Sequence, residues 1–165
     1  MKNINTEIIA SEKLKGECIA LNSSNGIPSH YNNADILLDR DIEDVTASLQ
    51  TQYSKCLRSI KDGNAMIVTN YIKAMRTETN LSDNYRKDVI KVLCIFSNYN
   101  KDKPFNVITR RDIIAFLDSF RRPDALDPMH KWIGTYNIYK IHLIRFFKWL
   151  YFPDVEPGNR PKSEL

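Results

Sequence analysis

Glycine and cysteine are scarce in this sequence, and neither occurs in a motif that binds a cofactor or a metal. The 165 residues include 5 glycines and 3 cysteines. The glycines form no GxGxxG or GxxxxGK pattern, which argues against a phosphate-binding loop. The cysteines, Cys18, Cys56 and Cys94, include no CxxC pair, so neither a disulfide framework nor a zinc site is expected. We therefore expect no cofactor, and a reducing compartment.

Long hydrophobic runs are also missing. The most apolar stretch, IHLIRFFKWLYF, is interrupted by Arg145 and Lys148 and is too short to span a bilayer. The N-terminus has no basic-then-apolar leader of the kind that directs secretion. We expect a soluble, cytoplasmic protein with no membrane partner. Because 42% of the residues are hydrophobic, the chain is able to bury the core of one ordinary domain.

Side chains that bind metals or perform catalysis do not cluster along the chain. His30, His130 and His142 are isolated from the cysteines and from one another at metal-ligand spacings. Acids that look paired, such as Asp112 and Asp118, are better explained by the preference of carboxylates for the free amides at helix starts. We expect no metal ion, no catalytic residue and no small-molecule substrate.

Charge is distributed unevenly between the two parts of the chain. Residues 1–62 contain 7 basic and 9 acidic residues, a net charge of −2, whereas residues 63–165 contain 17 and 11, a net charge of +6. The segment 131–151 contains no acid and four bases: Lys131, Lys140, Arg145 and Lys148. A polyanion is therefore a reasonable partner for the C-terminal part.

Apolar residues recur at helical spacing along most of the chain, and no stretch alternates as a β-strand does. We predict an all-α fold, a compact bundle of four to five helices. Ser82 is a good N-cap, and Thr109 with Asp112 forms a carboxylate variant of the capping box. The predicted units are a flexible arm at 1–40, a helical domain at 41–152 and an extended linker or tail at 153–165. Within the domain we predict helices at 41–61, 64–78, 82–99, 110–120 and 135–152.

Two of these helices have basic outer faces suited to duplex DNA. On the helix at 82–99, the bases Lys87 and Lys91 lie one turn apart, opposite the apolar stripe. A DNA phosphate at its N-terminus would meet free backbone amides together with Ser82, Asn84, Tyr85 and Arg86. A solvated face without a ligand explains the same pattern.

The outer face of the last helix mixes apolar and basic groups. It carries Ile138, Ile141, His142, Arg145 and Trp149. An isoleucine there could contact thymine methyl groups, and the arginine could contact guanine or a phosphate. Packing of the helix at 41–61 over the two isoleucines is an equal alternative. Further DNA contacts are predicted at the start of this helix and in its basic segment, namely Thr135, Tyr136, Asn137 and Lys140.

Three segments in this order, LSDNYRKDVIKVLCIFSNY, ITRRDIIAFLDSF and WIGTYNIYKIHLIRFFKWLYFPD, give the chain a family resemblance. It resembles the N-terminal, SAM-like core-binding domain of tyrosine recombinases, the phage-type integrases, and archaeal integrases most of all. That family shows a Ser/Thr-capped helix ending in aromatics, an IT.DI..FL helix and a T......L..FF.WL helix. The resemblance covers about residues 50–165, and the arm at 1–45 has no clear counterpart in the family.

The resemblance implies a bundle of crossed helices that forms one half of a clamp around double-stranded DNA. Its partners would be the duplex and further recombinase protomers on it. The tyrosine nucleophile and its supporting arginines, lysine and histidines belong to a separate C-terminal domain, so this chain would bind without cleaving. The resemblance implies DNA-facing positions at Asn84, Tyr85, Lys87 and Lys91, and at Thr135, Ile138, His142 and Arg145.

Two other functions fit the sequence. Ile138, Ile141 and Trp149 could form a docking surface of a helical protein-interaction or dimerisation module. An enzyme would require strand nicking by the chain itself. The leading hypothesis is a DNA-binding domain that takes part in DNA integration and recombination.

Overall fold

The computed structural model describes residues 33–79 and 82–161. Within these ranges the chain forms helices and no β-strand, which confirms the predicted all-α class. Residues 1–32 of the predicted arm and 162–165 of the predicted tail lie outside the described residues. The helices are α1 (Asn33–Thr46), α2 (Thr51–Arg58), α3 (Asp62–Glu78), α4 (Asp83–Tyr99), α5 (Arg110–Asp118) and α6 (Trp132–Tyr151), with 3-10 turns at Phe105–Val107 and Pro157–Asn159.

The segment 41–61, predicted as one helix, belongs to two, which gives the described chain six helices. Helix α1 begins at Asn33, inside the predicted arm, and the chain breaks before α2 at Ser48, whose φ of 69° is left-handed. The Arg86 guanidinium of α4 donates to the Val45 carbonyl at 3.3 Å and to the Ser48 hydroxyl at 3.0 Å. Because these bonds satisfy groups at the end of α1, a contact distant in sequence stabilises the break.

The predicted helix caps are confirmed. Helix α4 starts after Ser82, whose hydroxyl accepts from the Tyr85 amide at 3.3 Å. Helix α5 starts with the full capping box between Thr109 and Asp112. The Lys103 ammonium donates to the Asp112 carboxylate at 2.8 Å. Together with the bonds from Thr109, this contact lowers the pKa of Asp112 to about 2.

Aromatic rings form the centre of the core. Phe96 of α4 meets the ring of Phe116 at 5.0 Å between centroids and that of Phe147 at 5.9 Å, both edge to face. Phe105 and Phe146 form a similar pair at 5.0 Å. Each such ring buries a large apolar area, and the edge-to-face geometry adds a favourable electrostatic contact. The core thereby fixes α6 against the helices that precede it.

The helices pack around α4 and leave one side of α6 uncovered. Helix α4 packs against α2, α3 and α6, and α6 packs against α3, α4 and α5. Helix α1 packs against α2 and α3. None of the helices in the described ranges has both the length and the apolar character needed to cross a membrane. The uncovered side of α6 is the part of that helix that remains accessible to a partner.

The chain after α6 is fastened to the bundle rather than simply extended, as the tail was predicted to be. The Arg160 guanidinium donates to the Val155 carbonyl at 2.8 Å and pairs with the Glu78 carboxylate of α3 at 2.7 Å. Its side chain is only 7% exposed. The tail up to this residue consequently borders α3 and α6.

Candidate nucleic-acid interface

Tyr85 joins the two helices whose outer faces were predicted to meet DNA. The Arg145 guanidinium of α6 donates to the Tyr85 hydroxyl at 3.1 Å and lies 5.7 Å from the centre of its ring. The His142 ring lies 5.1 Å from that ring. The start of α4 and the middle of α6 are therefore held at one place on the molecule.

Tyr71 of α3 lies on the core side of the contact between Tyr85 and Arg145. It is buried and lies beside Tyr85, and its ring packs on that of Trp149. Burial, with Tyr85 beside it, raises the pKa of Tyr71 far above its ordinary value, so the phenol stays protonated. The hydrogen bond to Tyr85 in turn raises the pKa of Arg145, which stays a cation. The chain of contacts from Tyr71 through Tyr85 presents a fixed positive charge.

A groove of about 730 Å³ lies beside this chain of contacts. The end of α3, the start of α4, the outer side of α6 and the fastened tail form its walls. It combines apolar side chains with the cations of Arg145, Lys148 and Arg160, against the single acid Glu78. Its charge therefore favours an anion.

The isoleucines of α6 are exposed. Ile138 is 51% and Ile141 49% exposed. The alternative that the segment 41–61 covers them is wrong, because that segment packs against α3 and α4 instead. Exposed Thr135 and Asn137 precede them along the helix, and Arg145 follows. The exposed face of α6 thus offers amide, hydroxyl and aliphatic groups ahead of a cation.

The outer row of α4 lies next to this face. Asn84, Asp88 and Lys91 are all exposed and recur at the spacing of one helix face. Tyr85, which contacts Arg145 and His142 of α6, lies one residue after Asn84 and one turn before Asp88, which places this row beside α6. We name the two neighbouring rows the α4–α6 surface; it consists of Asn84, Asp88, Lys91, Thr135, Asn137, Ile138, Ile141 and Arg145.

Several cations on or beside the α4–α6 surface are not neutralised. Among the described residues, no carboxylate pairs with Lys91, Lys140, Arg145 or Lys148. Lys87 is half-buried, and its ammonium lies 3.5 Å from the Asn84 side-chain oxygen. Lys87 therefore borders the surface, whereas Lys91 belongs to it.

Arg86, predicted to contact DNA, has a structural role. It is buried and pairs with Asp83 in addition to its bonds to the end of α1. Its position in the first turn of α4 predicted the contact, but the end of α1 and the residues before α2 cover that side. A phosphate on the α4–α6 surface does not reach this guanidinium.

His142 is also covered, being only 7% exposed. Burial lowers the pKa of His142, and its Nδ1 is enclosed without a hydrogen-bond partner among the described residues. The neutral ring packs on Tyr85 and does not reach a ligand. Burial therefore argues against the predicted DNA contact at His142.

Two aromatic residues of α6 have positions that the sequence did not indicate. Trp149, predicted on the outer face, packs on Tyr71 at 5.1 Å between ring centroids. Tyr136 is half-buried, and the Arg121 guanidinium lies 5.6 Å from its ring centre. Both therefore support α6 from within the bundle. Arg121 therefore occupies one side of the Tyr136 ring, which was predicted to contact DNA.

The sequence reasoning missed Asp88 as a member of the α4–α6 surface. A helical wheel does place it one turn after Asn84, so the signal was present.

Within residues 33–79 and 82–161, no three His, Cys, Asp or Glu side chains are grouped so as to hold a metal ion.

No protein-family model, no curated protein and no solved structure matches this chain.

Proposed function

We propose that the α4–α6 surface binds double-stranded DNA, in the manner of the core-binding domain of a tyrosine recombinase. The observation that carries the proposal is the contact of Tyr85 with Arg145, which joins both predicted DNA-facing helices and holds a cation between them. The motif resemblance supports the same function. The chain would contribute binding to site-specific integration or recombination and would not cleave a strand alone.

The surface chemistry fits a duplex in two respects. Unpaired cations at Lys91 and Arg145 can neutralise phosphates, which dominate affinity for DNA. Asn137 and Ile138 are exposed on α6 ahead of Arg145 and can meet base edges through an amide and an aliphatic group. The two isoleucines of α6 are exposed on the same surface as Arg145, which combines apolar and cationic groups.

The salt dependence of binding tests the proposal. Affinity of the full chain for a labelled duplex is measured by fluorescence anisotropy over a range of salt concentrations. Each phosphate contact contributes about 0.9 to the slope of log affinity against log salt. The double variant Lys87→Ala with Lys91→Ala should lower that slope by about two if both lysines contact phosphates.

The matched control is Lys55→Ala with Lys61→Ala, which removes the same charge. Both lysines are exposed, on α2 and just before α3, and α2 packs against α1, α3 and α4. The control should keep the wild-type slope. Equal slopes for both double variants would reject the role of α4, and absence of salt-dependent binding by the wild type would reject the DNA proposal.

The exposed isoleucines favour a second candidate, a helical protein-interaction or dimerisation module. An apolar stripe on a helix is a common docking surface for another protein. Light scattering of the free chain separates the candidates. A stable dimer that Ile138→Ala with Ile141→Ala dissociates, together with no duplex binding at low salt, would favour the interaction module.

A further inference from the structure

One acidic side chain lies in the middle of the α4–α6 surface. Asp88 is exposed and falls in the row of α4 between Asn84 and Lys91. It lies one turn after Tyr85, which contacts His142 and Arg145, so it is on the side of α4 toward α6. A ligand that covers both helices along this row would lie close to the carboxylate.

The Asp88 carboxylate is not satisfied within the protein. Among residues 33–79 and 82–161 it makes no hydrogen bond and no ion pair, unlike Asp83, which pairs with Arg86, and Asp112, which pairs with Lys103. The nearby His142 is buried, and burial lowers its pKa, so it supplies no positive charge at neutral pH. The carboxylate is consequently free to accept hydrogen bonds from a ligand.

An unpaired carboxylate opposes a phosphate but suits the edge of a base. The phosphates of the DNA backbone repel a carboxylate. Burying the carboxylate under a ligand is also unfavourable unless the ligand donates a hydrogen bond to it. In the major groove, the cytosine N4 amino group is a donor that an aspartate accepts well. Lys91, one turn along α4, and Arg145, on α6, would supply the cations that bind neighbouring phosphates.

We propose that Asp88 determines sequence specificity by accepting a hydrogen bond from the amino group of one cytosine in the bound duplex. This inference rests on the proposed function and adds the base that one residue recognises. Ile138 and Asn137 would meet neighbouring base edges, because they are exposed on the adjoining row of α6.

Selection from a random duplex pool tests the inference. The full chain, as wild type, Asp88→Asn or Asp88→Ala, is mixed with duplexes of random sequence, and the retained molecules are sequenced. The wild type should enrich cytosine at one position. Asp88→Asn should change that position to adenine, whose N6 and N7 suit an amide. Asp88→Ala should lose the preference there alone.

A binding titration gives the magnitude. On the duplex that the wild-type protein selects, Asp88→Ala should weaken binding about 5- to 150-fold. On a duplex with another base in place of that cytosine, Asp88→Ala should bind as tightly as the wild-type protein or more tightly. The control Asp62→Asn alters an exposed acid in the first turn of α3 and should keep both the motif and the affinity. Circular dichroism of each variant verifies that the helices are retained.

The outcomes separate this inference from the function on which it rests. An unchanged motif in both Asp88 variants, or a wild type that binds without preference for cytosine, overturns base recognition by Asp88 and leaves DNA binding in place. A wild type that retains no duplex at low salt overturns both.

Discussion

The guanidinium of Arg145 donates to the hydroxyl of Tyr85 at 3.1 Å, across 60 residues of sequence. This contact orients a flexible side chain that would otherwise sample many rotamers. Because the buried Tyr71 of α3 lies beside Tyr85, the orientation depends on three helices at once. A cation held in place before its ligand arrives loses less entropy on binding.

Removal of the Tyr85 hydroxyl should weaken DNA binding modestly. We expect Tyr85→Phe to lower affinity about 2- to 12-fold, the usual effect of one lost hydrogen bond. The salt dependence should not change, because Arg145 keeps its charge. Fluorescence anisotropy at fixed and varied salt measures both quantities. Tyr151→Phe, at an exposed tyrosine near the end of α6, is the control. Wild-type affinity in Tyr85→Phe would show that the contact does not position Arg145.

Truncation of Arg86 should destabilise the fold. Arg86→Ala loses the pair with Asp83 and the bonds to the end of α1. We expect a decrease of about 1–3 kcal/mol in the free energy of unfolding, because Asp83 is half exposed and stays hydrated. Urea unfolding followed by circular dichroism measures it. Arg40→Ala, at an exposed position of α1, should stay within about 0.5 kcal/mol of the wild type. Similar values for both variants would contradict the structural role of Arg86.

The starts of α4 and α5 could be predicted from sequence because their caps are local. Ser82 and the pair Thr109–Asp112 bond to residues within one turn. The break between α1 and α2 could not, since it depends on Arg86, which is 38 residues from Ser48. Periodicity continues through that break, so the apolar pattern alone favours one helix.

The outward positions of the site were predictable and the covered ones were not. A helical wheel separates Asn84 and Lys91 from the core stripe of α4, and it places Ile138 outside on α6. It does not show which neighbours cover the flanks of a helix. Arg86 and His142 lie on such flanks, and only the packing of α1, α2 and α4 shows that they are enclosed.

The free energy of unfolding should decrease as the pH is lowered, because His142 is buried. Burial lowers its folded-state pKa below the ordinary value of about 6.5. The unfolded chain therefore binds more protons below about pH 6.5, and stability is lost as pH falls from there through the folded pKa. The groups facing the ring are Asp88, which raises this pKa, and Arg145, which lowers it.

Urea midpoints measured between neutral and mildly acidic pH test the effect of His142. The wild type should lose stability over this range, and His142→Gln should lose less, whatever its stability at neutral pH. Parallel curves for the two proteins would assign the acid sensitivity to other groups.

A glycine at position 101 should stabilise the protein. Lys101 is exposed and has a φ of 54°. This left-handed conformation is unfavourable in free energy for any residue that has a Cβ. We expect Lys101→Gly to raise the free energy of unfolding by about 0.5–1 kcal/mol. Lys55→Gly, inside α2, should lower it by a similar amount. Thermal and urea unfolding of both variants give the sign, and a loss of stability in Lys101→Gly would contradict the prediction.

Both tryptophans of the chain belong to α6, close to opposite ends of that helix. The Trp149 ring packs on Tyr71, which lines the groove with Arg145, and the Arg121 cation lies 5.8 Å from the centre of the Trp132 ring. Tryptophan fluorescence of the unlabelled protein, excited at a wavelength that tyrosine does not absorb, therefore reports on a single helix. With Trp132→Phe and Trp149→Phe, each end of α6 can be observed separately during a titration.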